Sequence, residues 1–273
     1  MRILATGGAG QLAGELRDRG EGVTTLTRGE LDITDAAAVR SALDAHRPDA
    51  VINCAAYNLV DQAEDEPDVA YRVNALGPRT LAAACREAGV HLIHVSTDYV
   101  FGGDADRRTP LTEADRPAPL SAYGVSKLAG EQFVLAADPS FAVVRTCGLY
   151  GRHGGNFVRT MLRLAESRDA VSVVADQRCT PTSCADLAGW LLTLTKDRTA
   201  GLVHATNTGE TTWAEFAAAV FKAAGLSTRV EPITSAEFGA KAPRPPYSVL
   251  ACDRLRDRRH WREAVAEFVA DAA

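Results

Sequence analysis

The chain has 273 residues, 46% hydrophobic and 24% charged, which is enough for one large α/β domain with a smaller lobe and for a core without metals or disulfides. Its net charge of −5 leaves no electrostatic footprint for nucleic acid. No run of about 18 apolar residues could span a membrane, and MRILATGG enters a strand with no basic n-region, so neither leader nor anchor is predicted.

The elements follow in chain order. β-Branched runs predict strands at Arg2–Thr6, Val23–Thr27, Ala50–Cys54, His91–Ser96, Phe141–Thr146 and Val171–Val174. Helical periodicity falls between them, at about 11–19, 35–46, 67–88, 121–137 and 155–168. This alternation predicts an α/β fold, a Rossmann-like doubly wound parallel sheet, with ligands at the C-terminal ends of the strands. Past residue 175 the rhythm loosens. A helix at 185–196, a strand at 202–205, a helix at 212–224 and a last helix from about 260 read as additions on the ligand edge. We therefore divide the chain into residues 1–150, mainly dinucleotide-binding with the catalytic residues, and 151–273, mainly a smaller C-terminal substrate-binding lobe with elements returning to the first part. The proline-rich KAPRPPY, 241–247, reads as an ordered loop in preference to a polyproline ligand. Six scattered cysteines without a CxxC read as reduced thiols in a cytoplasmic protein. The six histidines have no metal-ligand spacing, and no metal is predicted.

Three stretches carry chemistry. ATGGAGQLAGEL, 5–16, opens from the first strand with Gly7, Gly10 and Ala13 in a G-x-x-G-x-x-G/A frame. Small residues there let the backbone approach a pyrophosphate at a helix N-terminus. After the second strand, Thr27 and Arg28 stand where an NAD site places an acid, and an arginine pairs with a 2′-phosphate that a carboxylate would repel. The cofactor read from this is NADPH, with NADH as the alternative. Asp32 contacts the adenine or caps the next helix. In SAYGVSKLAGE, 121–131, Tyr123 and Lys127 are one helical turn apart and project together. A nearby ammonium lowers a phenol's pKa from its usual value near 10. In HVSTDYVFGG, 94–103, Thr97 and Asp98 end a strand on the ligand edge.

These motifs, with INCAAYNLVDQAEDEPDVAYRVNALGP, VRTCGLYG, NFVRTML, VVADQRCTPTSCADLA and RPPYSVL, span nearly the whole chain. Through them the sequence resembles the dTDP-4-dehydrorhamnose reductase (RmlD) family of extended short-chain dehydrogenases/reductases. The glycine and YxxxK frames belong to the whole superfamily, whereas the other segments are more specific. The resemblance implies NAD(P)H-dependent reduction of the C4 ketone of a nucleotide-linked 4-keto-6-deoxy sugar. Thr97, Tyr123 and Lys127 would be catalytic. Tyr123 would donate the proton, Thr97 would bond the same oxygen, and Lys127 would lower the tyrosine's pKa and hold the nicotinamide ribose. The implied cofactor contacts are Gly7, Gly10, Gln11, Leu12, Arg28, Asp32, Ile33, Ala55, Ala56 and Tyr57, with Tyr123 and Lys127. Asp98, Tyr99 and Gly148 would lie by the sugar. Asn156, Arg159 and Arg244 would hold the diphosphate, with helix capping as the structural alternative for Asn156. A nucleotide sugar is the expected partner and a homodimer is allowed. Nucleic acid and membrane are not expected.

The chain departs from the family pattern in places. RTCGLYG has Cys147 and Gly148 where the family usually has serine and tryptophan, and losing an indole wall should reshape the sugar pocket. DQRCTPTSC has Cys179 for glycine and Ser183 for tyrosine. A 4-ketoreductase of another dTDP-deoxysugar pathway therefore stays open. So does a non-catalytic NADP-binding regulatory subunit. A dehydratase would need an acid at Tyr99.

Overall fold

The structure is a computed structural model and describes residues 1–272. Its centre is a six-stranded parallel sheet in the order β10-β5-β4-β3-β1-β2. The first strands are β1 (Ile3–Thr6), β2 (Val23–Leu26), β3 (Ala50–Asn53), β4 (His91–Thr97) and β5 (Ala142–Thr146). β1, β3 and β5 are buried at every position, as strands covered on both faces must be. The chain reverses direction across the sheet between β1 and β3. The open crevice at their C-terminal ends is where such sheets bind ligands.

Helices α1 (Gln11–Arg19), α2 (Ala36–His46), α3 (Pro67–Tyr71), α4 (Gly77–Ala88) and α5 (Ala122–Ala137) connect these strands. α2, α4 and α5 cover one face over Val39, Leu43, Leu81 and Val134. The expected 67–88 helix is interrupted by a π-helical turn, Arg72–Leu76. The bulge turns Asn74 inward, where it bonds Tyr57 N–H at 2.8 Å, the Tyr57 carbonyl at 2.9 Å and Ser126 Oγ at 3.0 Å. Buried irregularities of this kind gather at functional sites.

Beyond β5 come β6 (Leu149–Tyr150), α6 (Phe157–Ala165), β7 (Ala170–Val174), β8 (Arg178–Cys179), β9 (Thr182–Ser183) and α7 (Cys184–Lys196). Then follow β10 (Gly201–His204), β11 (Thr211–Thr212), α8 (Trp213–Ala223), β12 (Arg229–Ile233), α9 (Ser235–Phe238) and α10 (Trp261–Ala272). Two assignments from the sequence change here. The strand at 171–174 is not in the main sheet. β7 pairs with β12, which the sequence reading did not anticipate. The sixth position beside β5 goes to β10, read earlier as an addition. The reason is α7, whose stripe of Leu187, Ala188, Leu191 and Leu194 packs with Leu12 and Leu16 of α1 on the second sheet face, leaving β10 at the free edge of β5. α6, α8, α10 and β7 share a separate apolar core around Tyr150, Phe216 and Trp261. The KAPRPPY segment is a packed loop, with Arg178 N–H on the Pro246 carbonyl at 2.9 Å and Arg244 clasping Asp61. Among the described residues no helix is long and apolar enough to cross a membrane.

Candidate active site

The glycine loop between β1 and α1 is set by close approach. Gly7 has φ +72°, and a Cβ there would lie 2.8 Å from Ala55 N. Only glycine fits that position without strain. α1 then begins at Gly10 with no side-chain cap and no acid in its first turn. Its N-terminal N–H groups and positive dipole end face the crevice without an internal partner, the arrangement that receives a phosphate.

Two cavities meet at this loop and share Gly10, Cys54, Ala56 and Asn58. The first, about 370 Å³, is lined by Gly7, Arg28, Asp32, Ile33, Ala55, Ala56 and Tyr57. Arg28 is on its wall, whereas the Glu30 carboxylate folds back onto Thr27 N–H and Oγ1, each at 2.8 Å. Asp32 does not cap the next helix. It accepts from Thr34 N–H at 2.9 Å and Thr34 Oγ1 at 2.8 Å, and these bonds lower its pKa. The cap of α2 is Asp35, which accepts from Ala37 and Ala38 N–H. Tyr57 lines the cavity while its hydroxyl donates to Glu66 at 3.0 Å.

The second cavity, about 260 Å³, brings together Gly10, Gln11, Leu12, Thr97, Asp98, Tyr123, Lys127, Cys147 and Gly148. Gln11 Nε2 donates to the Leu149 carbonyl at 3.2 Å, tying the glycine loop to β6. The Leu12 side chain also packs into the core under α1. α5 is capped by Ser121 on Gly124 N–H. It lies tight against its neighbours because residues 124 and 130 are glycines: a Cβ at either would fall 2.3 Å from the Tyr99 carbonyl or 2.1 Å from that of Asn74. The glycine behind Tyr123 thus sets the distance from the phenol to the strand end carrying Thr97.

Thr97 Oγ1 accepts from Tyr99 N–H at 3.2 Å and donates to Asp98 Oδ1 at 3.1 Å. Asp98 is 2% exposed. Ser248 Oγ donates to its Oδ2 at 2.5 Å and Cys147 Sγ at 3.1 Å. Burial raises its pKa even so. The Tyr123 phenol is pushed up to about 12 by burial, with Thr97 opposing and the Asp98 charge adding. This corrects the expectation that Lys127 lowers it. The ammonium donates to the Val95 carbonyl at 2.8 Å, with His94 Nε2 at 3.5 Å. Burial pushes Lys127 itself down to about 8.

Of the expected diphosphate contacts, Arg244 lines a cavity. A third space of about 500 Å³ is formed by Tyr99, Phe157, Met161, Leu164, Trp213 and Arg244, among others. Tyr99 bridges to the catalytic side, its ring edge-on to Tyr123 at 5.8 Å. α6 turns Phe157, Thr160, Met161 and Leu164 into this space, an i, i+3, i+4, i+7 face. Asn156 and Arg159 lie off that face. Asn156 caps α6 by accepting from Arg159 N–H at 3.0 Å, and the Arg159 guanidinium bonds the Arg152 carbonyl. Gly148, at φ +54°, would hold a side chain only under strain: its Cβ would stand 3.2 Å from Pro181 Cα and 3.3 Å from the tip of Trp213. Trp213, Phe157 and Ser248 were missed from the sequence. The one local signal was the Thr212–Glu215 capping box, which fixes Trp213 at the first turn of α8.

Comparison with known proteins adds to this geometry. Residues 1–273 match the model of the RmlD substrate binding domain. A dTDP-4-dehydrorhamnose reductase of Streptomyces griseus is 48% identical, covering 97% of this chain and 92% of its own. A probable dTDP-4,6-dihydroxy-2-methyloxan-3-one 4-ketoreductase of Streptomyces antibioticus is 46% identical over 99% of this chain and 95% of its own. The crystal structure of the Bacillus anthracis dTDP-4-dehydrorhamnose reductase in complex with NADP superposes with a TM-score of 0.95, at 39% identity and 99% coverage of both chains.

Proposed function

The chain belongs to the RmlD substrate binding domain family, and from that premise we propose that it reduces the C4 ketone of a nucleotide-linked 4-keto-6-deoxy sugar with NADPH, converting dTDP-4-dehydrorhamnose to dTDP-L-rhamnose. The observation that carries this is the meeting of Thr97, Tyr123 and Lys127 on the wall of a cavity that opens from the uncapped N-terminus of α1.

The residues fit the cofactor. Gly7 and Gly10 let the loop pass so close to Ala55 and to itself that a Cβ would crowd the backbone, the first turn of α1 offers N–H groups to the pyrophosphate, and Arg28 lines the far end where a 2′-phosphate would sit. Lys127 is the group for the nicotinamide ribose. When bound, NADPH supplies the hydride for C4.

The chain's part is to hold the ketone and supply a proton. Thr97 and Tyr123 stand at the same oxygen, and when the Thr97 hydroxyl swings its one proton from Asp98 Oδ1 to the ketone, charge forming there meets two donors. With its phenol at about 12, Tyr123 is protonated at neutral pH. An alkoxide is far more basic than a phenolate, so the transfer from Tyr123 to O4 runs downhill. A raised tyrosine pKa is thus compatible with reduction. Asp98, held by Ser248 and Cys147, orients the Thr97 hydroxyl. The apolar space bounded by Phe157 and Trp213 suits the nucleoside base, with Arg244 at its rim for the diphosphate.

A second reading is a 4-ketoreductase for a different dTDP-deoxysugar. It is favoured by Gly148 against the tip of Trp213, a sugar wall built differently from the family pattern. One experiment separates the two. Purified protein, NADPH and dTDP-4-keto-6-deoxyglucose are mixed with and without a 3,5-epimerase; NADPH consumption is followed and the product identified by NMR. Turnover only with the epimerase, giving dTDP-L-rhamnose, is expected. Turnover without it, or the other C4 configuration, supports the second reading. No turnover in either arm refutes the first reading and leaves a more elaborate keto sugar or a binding subunit.

A further inference from the structure

One buried polar row takes no part in the chemistry above. Thr6, Asn53 and His94 are register partners on the neighbouring strands β1, β3 and β4. None is more than 1% exposed. Thr6 Oγ1 donates to Asn53 Oδ1 at 2.6 Å, and Ala55 N–H donates to the same oxygen at 3.2 Å. Asn53 Nδ2 meets His94 Nδ1 at 2.9 Å. The other ring nitrogen of His94 lies 3.5 Å from Lys127 Nζ.

The protons in this row are set from one end. A backbone N–H cannot reverse its role: that of Ala55 divides between Asn53 Oδ1 and Thr6 Oγ1 at 3.3 Å, and an amide NH₂ in place of the oxygen would set two donors face to face. The amide's NH₂ then faces His94, and Nδ1 must accept. Burial, then the Lys127 charge, keep the imidazole neutral. A neutral ring that accepts at Nδ1 carries its proton on Nε2. An N–H donor, not a lone pair, is turned toward the lysine. It opposes the ammonium and suits the neutral amine. The other groups facing Lys127 are Tyr123 and Glu131 on α5, Cys54 at the end of β3 and the Val95 carbonyl. Glu131 and Cys54 favour the charged form, so within this set His94 is the group that opposes it.

We propose that His94 is a positioning residue for Lys127: Asn53 and Thr6 lock it in the Nε2–H tautomer, and that N–H makes Lys127 a readier proton donor to Tyr123. This rests on the reading that Tyr123 protonates the sugar oxygen. Once its proton has gone to O4, the phenolate takes one from the Lys127 ammonium. The lysine is left as an amine whose lone pair accepts from His94 Nε2–H, and solvent returns its proton.

Asn53→Asp tests this with little change of shape. A carboxylate still accepts from Thr6 and Ala55, but it also accepts from His94, so the ring proton moves to Nδ1 and a lone pair faces the lysine. Nitrogen-15 NMR of the cofactor-free chain reads the tautomer without any activity. His94 is assigned by its loss in His94→Leu, or in His94→Gln if the leucine variant fails to fold. The proton is expected on Nε2 in the natural chain and on Nδ1 in Asn53→Asp. In turnover, the alkaline limb of the kcat profile should move up by about one pH unit in Asn53→Asp, and also upward in the His94 variant. Combining the two should give no further shift. A proton on Nδ1 in the natural chain overturns the proposal. So does an unmoved limb, or a limb that Asn53→Asp moves by a further pH unit in the His94 variant, which would mark the carboxylate's charge alone. Failure of the natural chain to reduce any keto sugar would instead refute the functional reading, and the tautomer assignment would still decide this one.

Discussion

Replacing Lys127 by methionine should abolish turnover and at the same time stabilise the cofactor-free chain. Lys127 is 2% exposed, and burial pushes it from an ordinary 10.5 down to about 8, with Glu131 and Cys54 opposing. At about 1.4 kcal/mol per pH unit, keeping that ammonium charged in the folded chain costs about 3 kcal/mol. The cost is present in full below the folded value of about 8, where both states hold the proton. It fades as pH rises toward 10.5, where the unfolded chain also releases the proton. Methionine keeps the stem and removes the charge, but it leaves the Val95 carbonyl without its donor, a loss of about 1 kcal/mol. Glu131 is not orphaned, because it remains paired with Arg145 at 2.7 Å and accepts from Ser96 at 2.6 Å. The net gain is about 2 kcal/mol, or a Tm rise of about 4–8 °C for a chain of this size. Thermal melts near neutral pH and about two units higher, alongside an NADPH turnover assay, check it. A lower Tm for Lys127→Met near neutral pH, or a gap that does not narrow as pH rises, would refute the burial argument.

Three more outcomes are expected. Tyr123→Phe removes the proton donor and should lower kcat by about 10²–10⁴-fold, with NADPH affinity by fluorescence titration unchanged; a smaller loss would mean that the proton comes from elsewhere. Arg28→Ala should raise the KM for NADPH about tenfold, the worth of one charged hydrogen bond, and leave that for NADH alone; equal effects would place Arg28 away from the 2′-phosphate. Gly7→Ala forces a side chain to φ +72° and 2.8 Å from Ala55 N, so it should lose cofactor binding in titration and about 1–3 kcal/mol in melts. Normal binding by that variant would mean that the loop can shift.

The readings made from short-range spacing describe features that are local by nature. The glycine loop follows one strand and opens one helix. Tyr123 and Lys127 share a face because they are four residues apart on α5, and Thr97 ends the strand that precedes it. Periodicity of 2 and 3.6 suffices for such features. It does not say which strand fills a free edge. Val171–Val174 and Gly201–His204 are equally strand-like, and only the packing of α7 on α1 gives the place beside β5 to the latter.

At the site the same division holds. The residue types that could do the chemistry were legible, but their electrostatic state was not. The Tyr123 phenol is raised, not lowered, because burial outweighs its neighbours. Asp98 depends on Ser248, 150 positions away, and Arg244 on Asp61, 183 positions away. Asn156 and Arg159 were chosen by motif, yet the face that α6 turns inward starts one residue later, at Phe157. The fold class is legible in the long alternation of strand and helix patterns, and the phosphate-binding turn and the hydroxyl–phenol–ammonium set in short local motifs. The tertiary structure alone decided the protonation, the partners and the shape of the sugar pocket, because desolvation and long-range contacts exist only once distant segments are packed together.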